Sequence, residues 1–224
     1  MLIVVNKLAK GFTLLEVLIA LAVNIVIFTA LITFFSNTLT HYHSTLKINR
    51  LNQQLDNALL LMAQDIRRAG YWGNANSLLN APLNTNPFMS ITNGTDITIP
   101  SSSCILFTMD LNNDNTLPSV SANVEDERYG FRLNNQILQA RPRGAAFDCA
   151  AAADTWENVT DPNIVLITNL NFVLNQTTVI GGGTHNLVIR SVDVTLTGQL
   201  ATDPSFTKTL TQRIKVRNDR FTPP

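Results

Sequence analysis

A run of oxygen-bearing side chains has the spacing of a metal-binding loop. The segment D-L-N-N-D-N-T, residues 110–116, places Asp110, Asn112 and Asp114 at the first, third and fifth positions of a calcium loop. Carboxylate and amide oxygens at this spacing are the ligands that Ca²⁺ takes in proteins. The chemistry predicted from these residues is therefore calcium binding.

The same segment then departs from that pattern. Asn115 stands where the calcium loop has a glycine, and Ser121 stands where it has a closing glutamate. Glu125 or Glu127 closes the site only if the loop is longer than usual. Two interpretations stay open at this point, a calcium site and a polar Asn/Asp turn.

A carboxylate inside an apolar segment is a second chemical feature. Glu16 is the only ionisable side chain between Phe12 and Phe35, and a carboxylate within a membrane helix costs on the order of 3 kcal/mol. One interpretation is a charge that reaches the membrane interface. The other is an ion pair, because cleavage after Gly11 would give Phe12 an α-amino group four residues before Glu16, on the same helix face.

Two cysteines form the third feature. Cys104 and Cys149 lie in the polar part of the chain, which is predicted to be outside the cytoplasm, so a disulfide is expected. The sequence has neither a C-x-x-C motif nor a histidine beside them, which disfavours a redox or metal site.

The composition excludes several classes of function. The chain has 224 residues with 16 basic and 16 acidic side chains, so binding of nucleic acid through bulk charge is not expected. Charged residues make up 14% and hydrophobic residues 45% of the chain, which excludes a disordered protein. G-x-S-x-G, H-E-x-x-H and Walker motifs do not occur, and we expect a protein that is not an enzyme.

A long helix must position Glu16, the second of these features. Neither Gly nor Pro occurs between Phe12 and Ala69, which predicts one continuous helix. Residues 12–35 are apolar and long enough to cross a membrane, since about 20 residues suffice. Lys7 and Lys10 precede this segment and predict a cytoplasmic N-terminus.

The second part of the helix, residues 36–70, is predicted to pack on a globular head. Its apolar positions recur every three or four residues and form one stripe. The stripe consists of Ile48, Leu51, Leu55, Leu59, Met62, Ile66 and Ala69. Gly70 stands where a helix C-cap is expected. Asn24, in the apolar part, is expected to bond either to a backbone carbonyl or to a partner helix.

Residues 71–224 are predicted to form a β-rich head. Seven runs have strand character: 96–99, 104–109, 129–133, 136–140, 164–174, 187–197 and 206–217. In Y-G-F-R-L-N-N-Q-I-L-Q-A-R, Asn134 and Asn135 are predicted to form the turn of a hairpin. Strands that follow one long helix predict an α+β fold, with an antiparallel sheet packed on the helix stripe.

The N-terminus resembles a known processing signal. The stretch K-G-F-T-L-L-E-V-L-I-A-L, residues 10–21, is similar to the type IV prepilin signal in its glycine, aromatic residue, glutamate and apolar run. The resemblance implies that prepilin peptidase removes the leader, residues 1–11, between Gly11 and Phe12, and N-methylates Phe12. It also implies that Glu16 docks the subunit into a filament by pairing with a neighbour's N-terminal amine.

The rest of the chain resembles the PilW family of minor pilins, with the type IV pilin-like fold. The resemblance rests on L-L-L-M-A-Q-D-I-R-R-A-G-Y-W-G-N (59–74), C-I-L-F-T-M-D-L-N-N-D-N (104–115), R-Y-G-F-R-L-N-N-Q-I-L-Q-A-R (128–141) and R-I-K-V-R-N-D (213–219). It implies a low-abundance subunit near the filament tip that primes pilus assembly, on which twitching motility would depend.

Partners and location follow from the same resemblance. The expected partners are prepilin peptidase, other minor pilins, the major pilin, the inner-membrane assembly platform and, before assembly, membrane lipid. The protein is expected to cross the bacterial inner membrane once, with a periplasmic head, and then to enter an extracellular pilus.

Two other functions compete with this one. A J-type minor pseudopilin of type II secretion shares the leader, the helix and the β-rich head. A membrane-anchored adhesin that never enters a filament would keep its leader and would be indifferent to the loss of Glu16.

Overall fold

The computed structural model describes residues 11–75, 86–89, 96–117, 127–143, 148–150, 155–180 and 186–222. The helix α1 (Leu14–Arg68) comes first, followed by a short 3₁₀ helix (Pro87–Met89). The strands of the described residues are β1 (Thr98–Ser101), β2 (Cys104–Thr108), β3 (Arg128–Asn134), β4 (Ile137–Arg143), β5 (Thr155–Asn158), β6 (Val165–Val179), β7 (Asn186–Leu200), β8 (Asp203–Lys215) and β9 (Arg220–Thr222).

The strands form two antiparallel sheets. The first has the order β1-β2-β3-β4-β5, and the second has the order β6-β7-β8 with β9 also paired to β7. The sheets separate after β5, where the carbonyl of Asp161 accepts hydrogen bonds from the amides of Ile164 and Val165 and turns the chain. The α+β fold with one long helix and antiparallel strands is confirmed, although the strands divide between two sheets instead of one.

Two short strands were not predicted from the sequence. β5 and β9 have four and three residues, too few for the alternation of apolar and polar residues that identifies a strand. They exist because β4 and β7 offer backbone groups to pair with, which is a tertiary effect.

The hairpin between β3 and β4 turns one residue later than predicted. Asn134 pairs with Ile137 and therefore belongs to β3. The two turn residues are Asn135 and Gln136, with φ angles of 49° and 63°. Two successive positive φ angles define the tight turn that suits the twist of paired strands. The predicted turn at Asn134 and Asn135 was wrong because the register, which the sequence does not show, decides which pair is central.

The chain forms two units, residues 1–46 and residues 47–224. In the first unit the described side chains of α1 are exposed apart from Ser44, which is half-buried. Asn24 and several threonines of this part donate hydrogen bonds to backbone carbonyls four residues earlier, as Asn24 does to Ala20 at 2.8 Å. These bonds satisfy the polar groups locally. Within the described residues, α1 is long and apolar enough to cross a membrane, judged by length and composition.

The second unit contains the hydrophobic core, to which the stripe of α1 contributes. Leu51, Leu55, Met62 and Ile66 are buried there with residues of both sheets. Ile48, predicted to belong to the buried stripe, is 41% exposed. Periodicity identifies the apolar face of a helix but does not show how far along it the head reaches.

The end of α1 is anchored from two directions. Gly70 has a φ of +72°, as expected for a glycine after a helix. Its amide donates outside the helix, to the carbonyl of Thr108 at 2.7 Å. The side-chain amide of Asn218 donates to the carbonyls of Arg68 and Ala69 at 3.3 and 3.1 Å. The last helical carbonyls, which lack partners within a helix, are thereby satisfied.

Candidate functional sites

At the N-terminus, Glu16 is bonded to a residue of its own chain. The Oε2 atom of Glu16 accepts hydrogen bonds from the amide and the hydroxyl of Thr13, at 2.9 and 3.0 Å, and the amide of Glu16 donates to Thr13 Oγ1 at 3.3 Å. This reciprocal pair is a capping box, and it explains why the helix begins at Leu14 and not at Phe12. The sequence carries the signal for this motif, T-x-x-E at residues 13–16.

Gly11 and Phe12 are both exposed at the surface. Phe12 is 88% exposed, and a Cβ atom added to Gly11 would meet nothing within 4 Å. The fold therefore does not itself require a glycine at residue 11. The amine that would pair with Glu16 arises only after cleavage, since the nitrogen of Phe12 is here bonded to Gly11.

The predicted calcium segment folds into a tight loop after β2. Asn113 and Asn115 have φ angles of 61° and 66°, a region that Asn tolerates better than other non-glycine residues. Asn115 thus adopts the left-handed conformation for which a calcium loop uses glycine, and the substitution leaves the turn intact.

The loop brings three carboxylates together. One carboxylate oxygen from each of Asp110, Asp114 and Glu127 lies within 4.8 Å of the others. Asp110 and Glu127 are 0% and 2% exposed, whereas Asp114 is exposed. Asp110 follows the end of β2, and Glu127 directly precedes β3. The amide of Met109 donates to the carbonyl of Glu127, so the pairing of the two strands continues beyond their ends and brings the two carboxylates together.

Each buried carboxylate has one oxygen held by backbone amides. Asp110 Oδ2 accepts from the amide of Gly73 at 2.8 Å, and Glu127 Oε1 accepts from the amides of Leu111 and Asn112 at 2.6 and 3.2 Å. The other oxygen of each, Asp110 Oδ1 and Glu127 Oε2, is buried without a hydrogen-bond partner. The bonds to backbone amides therefore fix the orientation of each carboxylate, and they leave one oxygen of each group without a hydrogen bond.

The electrostatics of the cluster disfavour the charge on Glu127. Burial raises the pKa of Glu127 to about 7; the hydrogen bonds from Asn112 and Leu111 oppose this, and the negative charges of Asp110 and Asp114 add to it. A bound proton or a bound cation would remove the electrostatic cost of burying this negative charge.

Asn112, the other predicted metal ligand, is engaged with Asp114. Its Oδ1 accepts from the amide of Asp114 at 2.8 Å, and its Nδ2 donates to Asp114 Oδ2 at 2.9 Å. Asn112 orders the loop in this structure, and its role as a ligand remains a prediction. Ser121 and Glu125 lie outside the described residues.

The end of α1 is attached to this loop through the segment 70–73. The amide of Asp110 donates to the carbonyl of Tyr71 at 3.0 Å, and the Tyr71 hydroxyl donates to Asn113 Oδ1 at 3.1 Å. A Cβ atom at Gly73 would lie 3.1 Å from Asp110 Oδ2, so glycine permits this approach. The G-Y-W-G motif therefore seats the acidic loop against the end of the helix.

The expected disulfide between Cys104 and Cys149 is present, with Cα atoms 6.4 Å apart. It attaches the segment 148–150 to the first residue of β2. Arg132, which pairs with Cys104 across the sheet, donates to the carbonyl of Cys149 at 2.5 Å and lies over the ring of Trp156 at 4.1 Å. The bridge is thus part of a local packing unit at one end of the first sheet.

Comparisons with known proteins match both parts of the chain. Residues 6–33 match the family described as the prokaryotic N-terminal methylation motif. Residues 44–216, more than half of the chain, match the family described as prepilin peptidase-dependent protein B. Neither a curated protein nor a solved structure matches. The chain therefore belongs to the prepilin peptidase-dependent protein B family, and the type IV pilin-like character expected from its N-terminus is confirmed.

Proposed function

We propose that the chain is a minor pilin of the PilW type that primes or supports type IV pilus assembly near the filament tip. The observation that carries this proposal is an exposed apolar helix with one carboxylate at its N-terminal end. In residues 14–35 of α1 the large apolar side chains are exposed by half or more. Such a surface needs lipid or other helices to cover it.

The processing of the N-terminus supplies the second half of the proposal. Removal of residues 1–11 gives Phe12 an α-amino group, and membership of a prepilin peptidase-dependent family supports this cleavage. Before assembly the apolar segment spans the inner membrane, with the head in the periplasm. The amine of one subunit then pairs with Glu16 of its neighbour, where the surrounding apolar helices strengthen the attraction of opposite charges.

The capping box is compatible with that pairing. Both hydrogen bonds from Thr13 go to Oε2 of Glu16. We therefore assign the neighbour's amine to Oε1. Glu16 would cap its own helix and bind the next subunit with different oxygens.

Intact mass of the membrane-extracted protein tests the processing step. We expect loss of Met1–Gly11 and one added methyl group on Phe12. A chain that keeps Met1 in a host with active prepilin peptidase would favour the membrane-anchored adhesin.

A deletion strain tests the pathway. We expect a loss of sheared surface pili that the gene restores, while type II secretion continues. Intact pili with defective secretion would instead assign the chain to the J-type pseudopilins.

A further inference from the structure

The acidic loop has two buried carboxylate oxygens without hydrogen-bond partners, Asp110 Oδ1 and Glu127 Oε2. Leaving a buried polar atom unsatisfied is costly, and more so when the group is charged. A third such atom, Asn115 Oδ1, belongs to the same loop. A ligand that accepts electron pairs from oxygen would satisfy these atoms.

The spacing of the carboxylates fits a single ion. Ca²⁺ binds oxygen at about 2.3–2.6 Å, so two ligands on opposite sides of the ion lie about 4.8 Å apart. Oxygens of Asp110, Asp114 and Glu127 lie within 4.8 Å of one another. One cation at the centre would reach all three.

The chemistry of the donors selects the class of metal. The cluster offers carboxylate oxygens, which hard cations prefer, and sulfur or imidazole donors are not part of it. An irregular loop with carboxylates from separate segments suits Ca²⁺, which accepts six to eight oxygens in flexible geometry, better than Mg²⁺, which requires near-ideal octahedra.

We propose that Asp110, Asp114 and Glu127 bind one Ca²⁺ ion that fastens the β2–β3 loop to the end of α1. Glu127 takes the place of the closing glutamate of a calcium loop, thirteen positions after Asp114. The fastening follows from the hydrogen bonds of the loop, since Asp110 also holds the amide of Gly73 and Asn113 holds the hydroxyl of Tyr71. This proposal is independent of the proposed role in pilus assembly.

Thermal unfolding of the full-length chain in detergent, with chelator and then with Ca²⁺, is the first test. With free Ca²⁺ about a hundredfold above its dissociation constant, we expect the melting temperature to rise by roughly 5 °C or more. The same concentration of Mg²⁺ should raise it much less. An equal response to Mg²⁺ would contradict the assignment to calcium.

Terbium luminescence is the second test, because Tb³⁺ replaces Ca²⁺ in oxygen sites and is excited through nearby aromatic rings. The Tyr71 hydroxyl is hydrogen-bonded to Asn113 of the loop, and Trp72 is the next residue in the chain. Bound Tb³⁺ should therefore emit when these rings are excited. We expect Ca²⁺ to displace it. Absence of both the emission and the melting shift at millimolar metal would overturn the proposal and leave a proton as the occupant.

Variants separate this site from general binding of cations to acidic groups. Glu127→Gln keeps an oxygen for the amides of Leu111 and Asn112, and it should abolish the calcium response while the metal-free protein stays folded. Asp114→Asn, at an exposed position, should weaken the response at least tenfold. Asp161→Asn is the matched control, since Asp161 Oδ1 accepts the amide of Asn163 in a similar turn outside the cluster. A calcium response that Asp161→Asn alters as much as Asp114→Asn would contradict the site.

Discussion

Arg190 and Asp96 form an ion pair in the interior of the head, 94 positions apart in the sequence. The side chain of Arg190 is 0% exposed and that of Asp96 is 8% exposed. Arg190 Nη2 also donates to the carbonyl of Asn218 at 2.6 Å, while Asp96 Oδ2 accepts from Arg220. Burial lowers the pKa of Arg190, and the charge of Asp96 opposes that shift. Through its bond to Asn218, Arg190 also joins β7 to the segment that caps α1.

Asp96→Ala should be one of the most destabilising substitutions in the head. It leaves the guanidinium of Arg190 buried without its carboxylate, which costs about 3–5 kcal/mol of unfolding free energy. Chemical denaturation followed by circular dichroism would measure the loss. Arg220→Gln is the matched control, because it removes the more exposed arginine and leaves the Arg190–Asp96 pair in place. Its cost should be smaller, about 1.5–3 kcal/mol for the loss of one hydrogen bond between charged groups, and equal losses in the two variants would contradict this ranking.

Gln136→Gly should stabilise the head. Gln136 is exposed and has a φ of 63°, a conformation that costs a residue with a side chain roughly 1 kcal/mol and costs glycine little. We expect a gain of about 0.5–1 kcal/mol in the free energy of unfolding. Asn134→Gly is the control, since Asn134 lies in the strand, where glycine is unfavourable. If Asn134→Gly stabilised the head instead, the result would favour a turn at Asn134 and Asn135 and contradict the turn at Asn135 and Gln136.

The helix and most strands were predictable because they depend on local patterns. The absence of Gly and Pro and the spacing of Leu51, Leu55 and Met62 are visible in the sequence. The turn at Asn135 and Gln136 and the strand β9 depend on register and on a partner strand, which local patterns do not contain. The ion pair of Arg190 is a long-range contact of the same kind.

The candidate sites divide in the same way. The spacing in the sequence predicts Asp110 and Asp114, but only the structure shows that Glu127 lies beside them. β3 pairs with β2, and this pairing brings Glu127 beside the loop. The role of Gly73 was equally hidden, since its amide bonds to Asp110 only in the folded chain.

Loss of the disulfide should lower the stability of the head. The bridge between Cys104 and Cys149 closes a loop of 45 residues, and the chain-entropy model assigns about 4 kcal/mol to a loop of that length. The double variant Cys104→Ser/Cys149→Ser should show this loss in chemical denaturation, and the wild type should show it with reductant. A reductant effect on the double variant as large as that on the wild type would mean that the reagent acts elsewhere.

Substitutions at Glu16 should separate its two interactions, the cap of its own helix and the proposed docking to a neighbour. Glu16→Gln keeps an oxygen for the amide and hydroxyl of Thr13, and Gln serves in a capping box, but the negative charge is lost. If docking depends on charge, Glu16→Gln and Glu16→Ala should both reduce incorporation into sheared filaments at least tenfold, with leader cleavage unchanged. Thr13→Val is the control, because it removes the hydroxyl partner and keeps the carboxylate, and it should be incorporated almost normally. Normal incorporation of Glu16→Gln beside a defect in Glu16→Ala and Thr13→Val would show that capping, and not the ion pair, is what assembly requires.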